Sequence, residues 1–213
     1  MKLSKDYFDS IADQWDGMQQ SFFSEDVRNF AYKLAEIRKG RIAVDIGAGT
    51  GFMTHGLLQA GLKVVAVDQS PEMLELLKKK YFGCKELECL EGDSDELPLK
   101  DHSVDYAFAN MFLHHVADPA TAIKEMYRIL KPGGRIVITD LDKHEFTELQ
   151  TEQHDVWLGF DREEVFGWMK TAGFQTPSVH CVGSSCSTES KCSCTCDDQR
   201  EISISIFAAF AEK

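Results

Sequence analysis

Three observations predict an α/β fold built on one open, Rossmann-like sheet. Short apolar runs rich in β-branched residues end in glycines or an acid, stretches of helical periodicity separate them, and the alternation repeats along most of the chain. Strands joined by helices pair in parallel through right-handed crossovers. The expectation is a seven-stranded sheet, mostly parallel with an antiparallel last strand and helices on both faces, in a single domain spanning residues 1–213.

The first strand is RIAVDI, residues 41–46, which runs directly into glycines. A helix from Phe52 to about Ala60 follows, and Gly61 ends it. LKVVAVD is the second buried strand. Ser70 caps the next helix with Pro71 at its first position, while Met73, Leu74, Leu76 and Leu77 form its apolar side. KELECLEGD and VDYAFANM supply strands three and four. A helix entered at Asp118 and Pro119 closes in KPGG, residues 131–134, before strand five, RIVITDL. In DREEVFGWMKTAG, Asp161 and Glu164 have the spacing of a capping box and Gly173 supplies the stop. Two strands remain, about 175–182 and 201–210, and with no helix between them they must pair antiparallel. The intervening residues 183–200, GSSCSTESKCSCTCDDQR, read as a Cys-rich loop, long for a hairpin connection.

Composition narrows the partners. The chain has 213 residues, 43% of them hydrophobic, which is enough for a full core. Its formal charge of -12, without a strongly basic cluster, opposes nucleic acid and anionic membrane surfaces and leaves a small molecule as the expected partner. The N-terminus is charged and lacks an apolar core segment, and no apolar run is long enough to span a bilayer, so a cytoplasmic location is expected. In that compartment seven cysteines read as thiols, metal ligands or redox groups rather than as a disulfide framework.

The first strand delivers Asp45 into a turn with glycines at 47, 49 and 51, which lets the backbone bend sharply and approach a ligand at a helix N-terminus. Phe52 stands where a dinucleotide fingerprint has its third glycine or an alanine, so the spacing disfavours NAD and an oxidoreductase. Asp68 ends the second strand, where a carboxylate can accept both hydroxyl protons of an unphosphorylated ribose.

VDIGAGTGFMT followed by VVAVDQSPEML, then GDSDELPLKDHSVDYAFANMFLHHV and EMYRILKPGGRIVITDL, resembles the class I S-adenosylmethionine-dependent methyltransferases. The subgroup it is most similar to contains the ubiquinone and menaquinone biosynthesis and arsenite methyltransferases. The resemblance covers roughly residues 5 to 175 and implies S-adenosylmethionine as cofactor. It implies that Asp45, Gly47, Gly49 and Gly51 hold the methionine end, that Asp68 takes the ribose hydroxyls with Gln69 beside it, and that Gly92, Asp93 and Ser94 contact adenine. Asn110 and Met111 would line the pocket at the end of strand four, and residues 1–40, with Tyr7 and Trp15, would form lid helices.

Methyl transfer from a sulfonium is an in-line displacement, so the main work is alignment. A hydroxyl or carbon acid also needs a base. Candidates are His114 and His115 after strand four, and Asp140, His144 and His154 after strand five, with His144 and His154 ranked ahead of the pair. DLDKHEFTELQTEQHDVWLGFDREEV is similar to the acceptor-side segment of quinone- and arsenite-type relatives; Trp157 could wall that pocket, while Phe160 reads as packing.

Cys181, Cys186, Cys192, Cys194 and Cys196 lie within sixteen residues, a donor set that suits a soft metal or metalloid. Topology brings their loop to the C-terminal edge of the sheet. Two functional readings follow: a methyltransferase acting on a small molecule, with a thiol or thiol-bound metalloid as one acceptor class, and a metal-binding or redox-sensing protein on a methyltransferase scaffold.

Overall fold

The computed structural model describes residues 5–12, 15, 24–191 and 199–213. Residues 5–12 form helix α1. The order continues α2 (Glu25–Ala35), β1 (Ile42–Ile46), α3 (Phe52–Gln59), β2 (Lys63–Asp68), α4 (Pro71–Lys80), β3 (Leu87–Glu91), β4 (Val104–Asn110), α5 (Pro119–Ile129), β5 (Leu130–Leu141), α6 (Glu148–Glu152), α7 (Arg162–Ala172), β6 (Gln175–Lys191) and β7 (Gln199–Glu212). The seven strands form one sheet in the order β3-β2-β1-β4-β5-β7-β6. β1 to β5 pair in parallel, and β7 runs antiparallel to both its neighbours. The expected fold class is borne out.

The central strands are buried on both faces. Val44, Ile46, Ala107, Ala109, Ile136 and Ile138 pack into one core with Ile123 and Met126 of α5 and Val165 and Met169 of α7. Ala43, Val64, Phe108 and Val137 pack into the other with α2 and α3. Helix ends follow the local chemistry. The Ser70 hydroxyl accepts the Met73 amide at 3.1 Å, Asp118 accepts that of Thr121 at 3.1 Å, and Gly173 stops α7 at φ 108°.

Three boundaries differ from the sequence reading. α5 stops at Ile129 and the strand starts at once, because Leu130 already pairs with Val104 and the KPGG stretch is absorbed as a shift in the β4–β5 register. The Asp161 carboxylate makes no cap bond; it is held instead by the Lys143 ammonium at 2.6 Å. The third difference concerns the Cys-rich loop. β6 continues to Lys191 and β7 begins at Gln199, pairing again after an irregularity between Cys181 and Ser185, where Gly183 takes φ 79°. Alternating Ile202, Ile204 and Ile206 turn one face onto Leu141, Leu149, Val27 and Cys186, so a segment that looked like a polar loop is mostly hairpin. Residues 192–198, with Cys192, Cys194 and Cys196, lie outside the described residues.

This hairpin passes the end of β5. The last β5–β7 pair is Leu141 with Ile206, whereas β6 and β7 go on pairing through Lys191 and Gln199, a ribbon about 20 Å long beyond the sheet's C-terminal edge. No helix among the described residues is long and apolar enough to cross a membrane.

Candidate active site

A cavity opens at the C-terminal ends of β1, β2 and β4, where the strand order reverses direction. The turn after β1 is pinned to β2, since the Gly47 and Ala48 amides both donate to the Val67 carbonyl, at 2.9 and 3.1 Å. Asp68 then locks it. Its Oδ2 accepts the Gly49 amide at 2.8 Å and its Oδ1 the Ser70 amide at 2.9 Å, while burial pushes the carboxyl above its ordinary range. The Gln69 backbone also hydrogen-bonds this carboxylate, and the rest of its acceptor capacity remains for a ligand. Gly47, at φ 68°, faces the Phe112 ring so closely that a Cβ would sit 2.2 Å from Phe112 Cδ2. Gly51 plays a different part: it opens α3 at φ 97°, a Cβ there would meet Leu77 Cδ1 at 2.4 Å, and it does not line the cavity.

Asp45 lies on the cavity floor with one oxygen, Oδ2, taking both the amide and the hydroxyl of Thr54, at 2.8 and 2.7 Å. Burial raises its pKa to about 6. Gln69, Gly92, Asp93 and Ser94 line the β2–β3 side as expected. Asn110 and Met111 line the β4 side; Asn110 Oδ1 accepts the Thr139 hydroxyl at 2.7 Å, and Met111 takes a left-handed turn at φ 49°. Trp15 and Phe8 cover the opening. α1 is tied down by Asp9, whose Oδ1 accepts the Ser70 hydroxyl at 2.5 Å, so the residue that caps α4 also anchors the cover. Tyr7 does not line the cavity; its ring packs on that of His154, with centroids 4.5 Å apart.

The histidines sort differently from the sequence ranking. His115 lines the cavity, and His144 and His154 do not. The turn after β4 runs through Leu113–His115. Asp140, at the end of β5, receives four donors: the Phe112 and Leu113 amides on Oδ2, and the Leu141 amide and His114 Nδ1 on Oδ1, the last at 2.6 Å. His114 Nε2 therefore points away, to Asp155 Oδ1 at 3.8 Å, and His115 Nδ1 lies 3.7 Å from the same oxygen. Asp155 is delivered by its neighbours, since the Val156 and Trp157 amides both donate to the His114 carbonyl and Trp157 Nε1 donates to the Val116 carbonyl. The two carboxylates offset the burial of His114 and raise it to about 9, burial and the neighbouring His114 push His115 well below its usual value, and burial lifts Asp155 to about 6. Asp155 was missed in the sequence because an acid in HDVW reads as a turn residue. Phe8, Phe112 and Val116 were missed because their apolar character reads as core.

The described thiols do not gather. Cys181 is exposed and Cys186 is buried on the ribbon's inner face, where burial, with Asp155 and Asp140 near it, pushes its thiol up to about 12. Trp157 and Phe160 do not line the cavity; Phe160 is core, beside Gly159 at φ 68°, where a Cβ would meet the Asp142 carbonyl oxygen at 2.4 Å.

The charge of the cavity decides which ligand class fits. Asp45, Asp68 and Asp93 line it and, among the described residues, no lysine or arginine does. Such a site disfavours the pyrophosphate of a dinucleotide and suits a cation carrying a ribose diol, which is the chemistry of S-adenosylmethionine. A family profile described as "Methyltransferase domain" matches residues 44–138. Residues 44–138 thus match the methyltransferase-domain family, and this match supports the resemblance to the class I S-adenosylmethionine-dependent methyltransferases.

An uncharacterised methyltransferase of Mycobacterium tuberculosis is 38% identical over 133 residues, 62% of this chain and 45% of the relative. The chloroplastic 2-methyl-6-phytyl-1,4-hydroquinone methyltransferase of Arabidopsis thaliana is 33% identical over 165 residues, 76% of this chain and 48% of the relative. The chain thus spans less than half the length of these relatives. A solved S-adenosylmethionine-dependent methyltransferase from Aquifex aeolicus shares the fold, with a TM-score of 0.70, 23% identity, and 96% and 97% of the two chains covered. So does Haemonchus contortus phosphoethanolamine N-methyltransferase 2 in complex with S-adenosyl-L-methionine, at a TM-score of 0.70 and 19% identity, over 88% of this chain and 52% of that one.

Proposed function

We propose that the chain transfers the methyl group of S-adenosylmethionine to a small-molecule acceptor that enters beside Phe8, Phe112, His115 and Val116. The acidic cavity, lined by no lysine or arginine among the described residues, carries this reading. When bound, S-adenosylmethionine supplies a methyl group already activated on a sulfonium. The chain's residues then have to position and exclude. Asp68 accepts from the ribose hydroxyls while holding the Gly49 turn, Asp93 and Ser94 face the base, and Phe112 against Gly47 narrows the space on the acceptor side. Phe8 and Trp15 keep water out, and α1 acts as the lid, whereas α2 of the expected lid stretch is packed into the core.

His115, neutral at physiological pH, is the cavity-lining group able to take an acceptor proton. The aromatic wall beside it supports a flat acceptor bearing a hydroxyl, in keeping with the hydroquinone named for the Arabidopsis relative. A thiol or thiol-bound metalloid is the second reading, favoured by the ribbon that brings Cys186 to the catalytic edge. Incubation with methyl-labelled cofactor and a panel of hydroquinones, small thiols and arsenite, read by mass spectrometry, tests both. A labelled quinol supports the first, a labelled thiol or arsenical the second, and cofactor binding with no product on any acceptor points to the sensor.

A further inference from the structure

Beyond the cofactor cavity, three buried polar atoms converge without satisfying one another. His114 Nε2 lies 3.8 Å and His115 Nδ1 3.7 Å from Asp155 Oδ1, and all three atoms fall within 4.8 Å of one another. These separations are too long for hydrogen bonds. Among the described residues neither His115 Nδ1 nor Asp155 Oδ1 has a hydrogen-bond partner, although both are buried and the side chain of Asp155 is only 3% exposed. Orphaned groups of this kind call for a ligand.

We propose that His114 Nε2, His115 Nδ1 and Asp155 bind a divalent transition-metal ion of the zinc type. Two imidazole nitrogens and a carboxylate form the donor set of an open, three-ligand site, and tetrahedral ligands at 2.0–2.2 Å stand roughly 3.4 Å apart, a few tenths of an ångström inside the two measured gaps. Asp140 supplies the outer support, because it holds His114 Nδ1–H at 2.6 Å and is itself fixed by three backbone amides, the carboxylate–histidine–metal pattern. The clamp of the Val156 and Trp157 amides on the His114 carbonyl brings Asp155 to the same point. His115 also lines the cofactor cavity, so the remaining coordination position opens towards the acceptor side. On the methyl-transfer reading, the bound ion would replace His115 as the group that activates the acceptor, holding its hydroxyl or thiol as the anion while the proton leaves to solvent. Ion binding itself does not depend on that reading.

The test uses the full chain with Cys84, Cys89, Cys181, Cys192, Cys194 and Cys196 replaced by Ser and Cys186→Ala, so that thiolates cannot contribute. After chelation, one equivalent of Zn2+ should rebind and raise the melting temperature. Asp155→Asn and His115→Gln should weaken binding at least tenfold, and Asp140→Asn by 10–100-fold. Co2+ provides a readout on the chain with intact cysteines: visible bands of a tetrahedral site without thiolate charge transfer are expected. Calorimetry with S-adenosylhomocysteine on the same samples reports the cofactor cavity separately. No Zn2+ bound in the thiol-free chain, equal binding by Asp155→Asn, or a Co2+ spectrum dominated by thiolate overturns the proposal.

Discussion

Asp68 and Gly49, nineteen residues apart, are joined by a 2.8 Å hydrogen bond from the glycine amide to the carboxylate, while the other carboxylate oxygen takes the Ser70 amide. The acid proposed to take the ribose hydroxyls is thus also the clasp between the glycine turn and α4. Asp68→Asn preserves the shape but offers one acceptor and one donor, so one of the two amides must face an NH2 group. A loss of about 1–3 kcal/mol is expected, several degrees in melting temperature for a chain of this size. Thermal unfolding of the variant checks it; an unchanged transition contradicts the clasp.

Gly47 is required by sterics on two counts, its φ of 68° and the Phe112 ring 2.2 Å from where a Cβ would sit. Gly47→Ala should cost roughly 1–3 kcal/mol from crowding alone and displace Phe112 into the cavity. Pairing it with Phe112→Ala relieves the crowding. Stability of the double variant at or above that of Gly47→Ala is the expected outcome, measured by denaturant titration.

Much of this was legible in advance. The turn glycines and Asp68 lie close together in sequence and carry strict backbone demands, so local pattern placed them, while the roles of Asp45 and the GDS stretch rest on the family resemblance. That the sheet is open and mostly parallel followed from apolar strands alternating with helices. What escaped notice depended on long-range contact. Asp155 gains its environment from His114, forty-one residues earlier, and Phe112 looked like core until it faced Gly47. The Cys-rich stretch reads as a loop because its serines and threonines mask the register with Ile202 and Ile204.

Ser70 joins two functions, accepting the Met73 amide at the start of α4 and donating to Asp9 of α1. Ser70→Ala should lower stability by about 0.5–2 kcal/mol and loosen the cover that carries Phe8 and Trp15. Faster proteolytic cleavage ahead of residue 24, read by intact mass, together with weaker binding of S-adenosylhomocysteine, is expected. A change in stability with neither effect would assign Ser70 to the helix cap only.

Burial raises Asp45 from an ordinary value of 3.8 to about 6, so between those limits the folded chain keeps a proton that the unfolded chain releases. The stabilisation this provides is complete below the lower value and lost as pH rises through 6. Asp45→Asn can still accept both Thr54 bonds and has no proton to lose. Raising pH from 4 to 7 should therefore cost the parent more stability than the variant, measured as the shift in denaturant midpoint. A difference that stays flat across that range would remove burial as the cause.

The central claim is that the acidic cavity bounded by Asp68 binds S-adenosylmethionine and its demethylated product. Calorimetric titration of S-adenosylhomocysteine into the parent chain and into Asp68→Ala measures it directly. One site per parent chain is expected, with affinity reduced at least tenfold in the variant, since two charge-assisted bonds of about 1.5–3 kcal/mol each are removed. Absence of binding in the parent, or the same affinity in both proteins, contradicts the account.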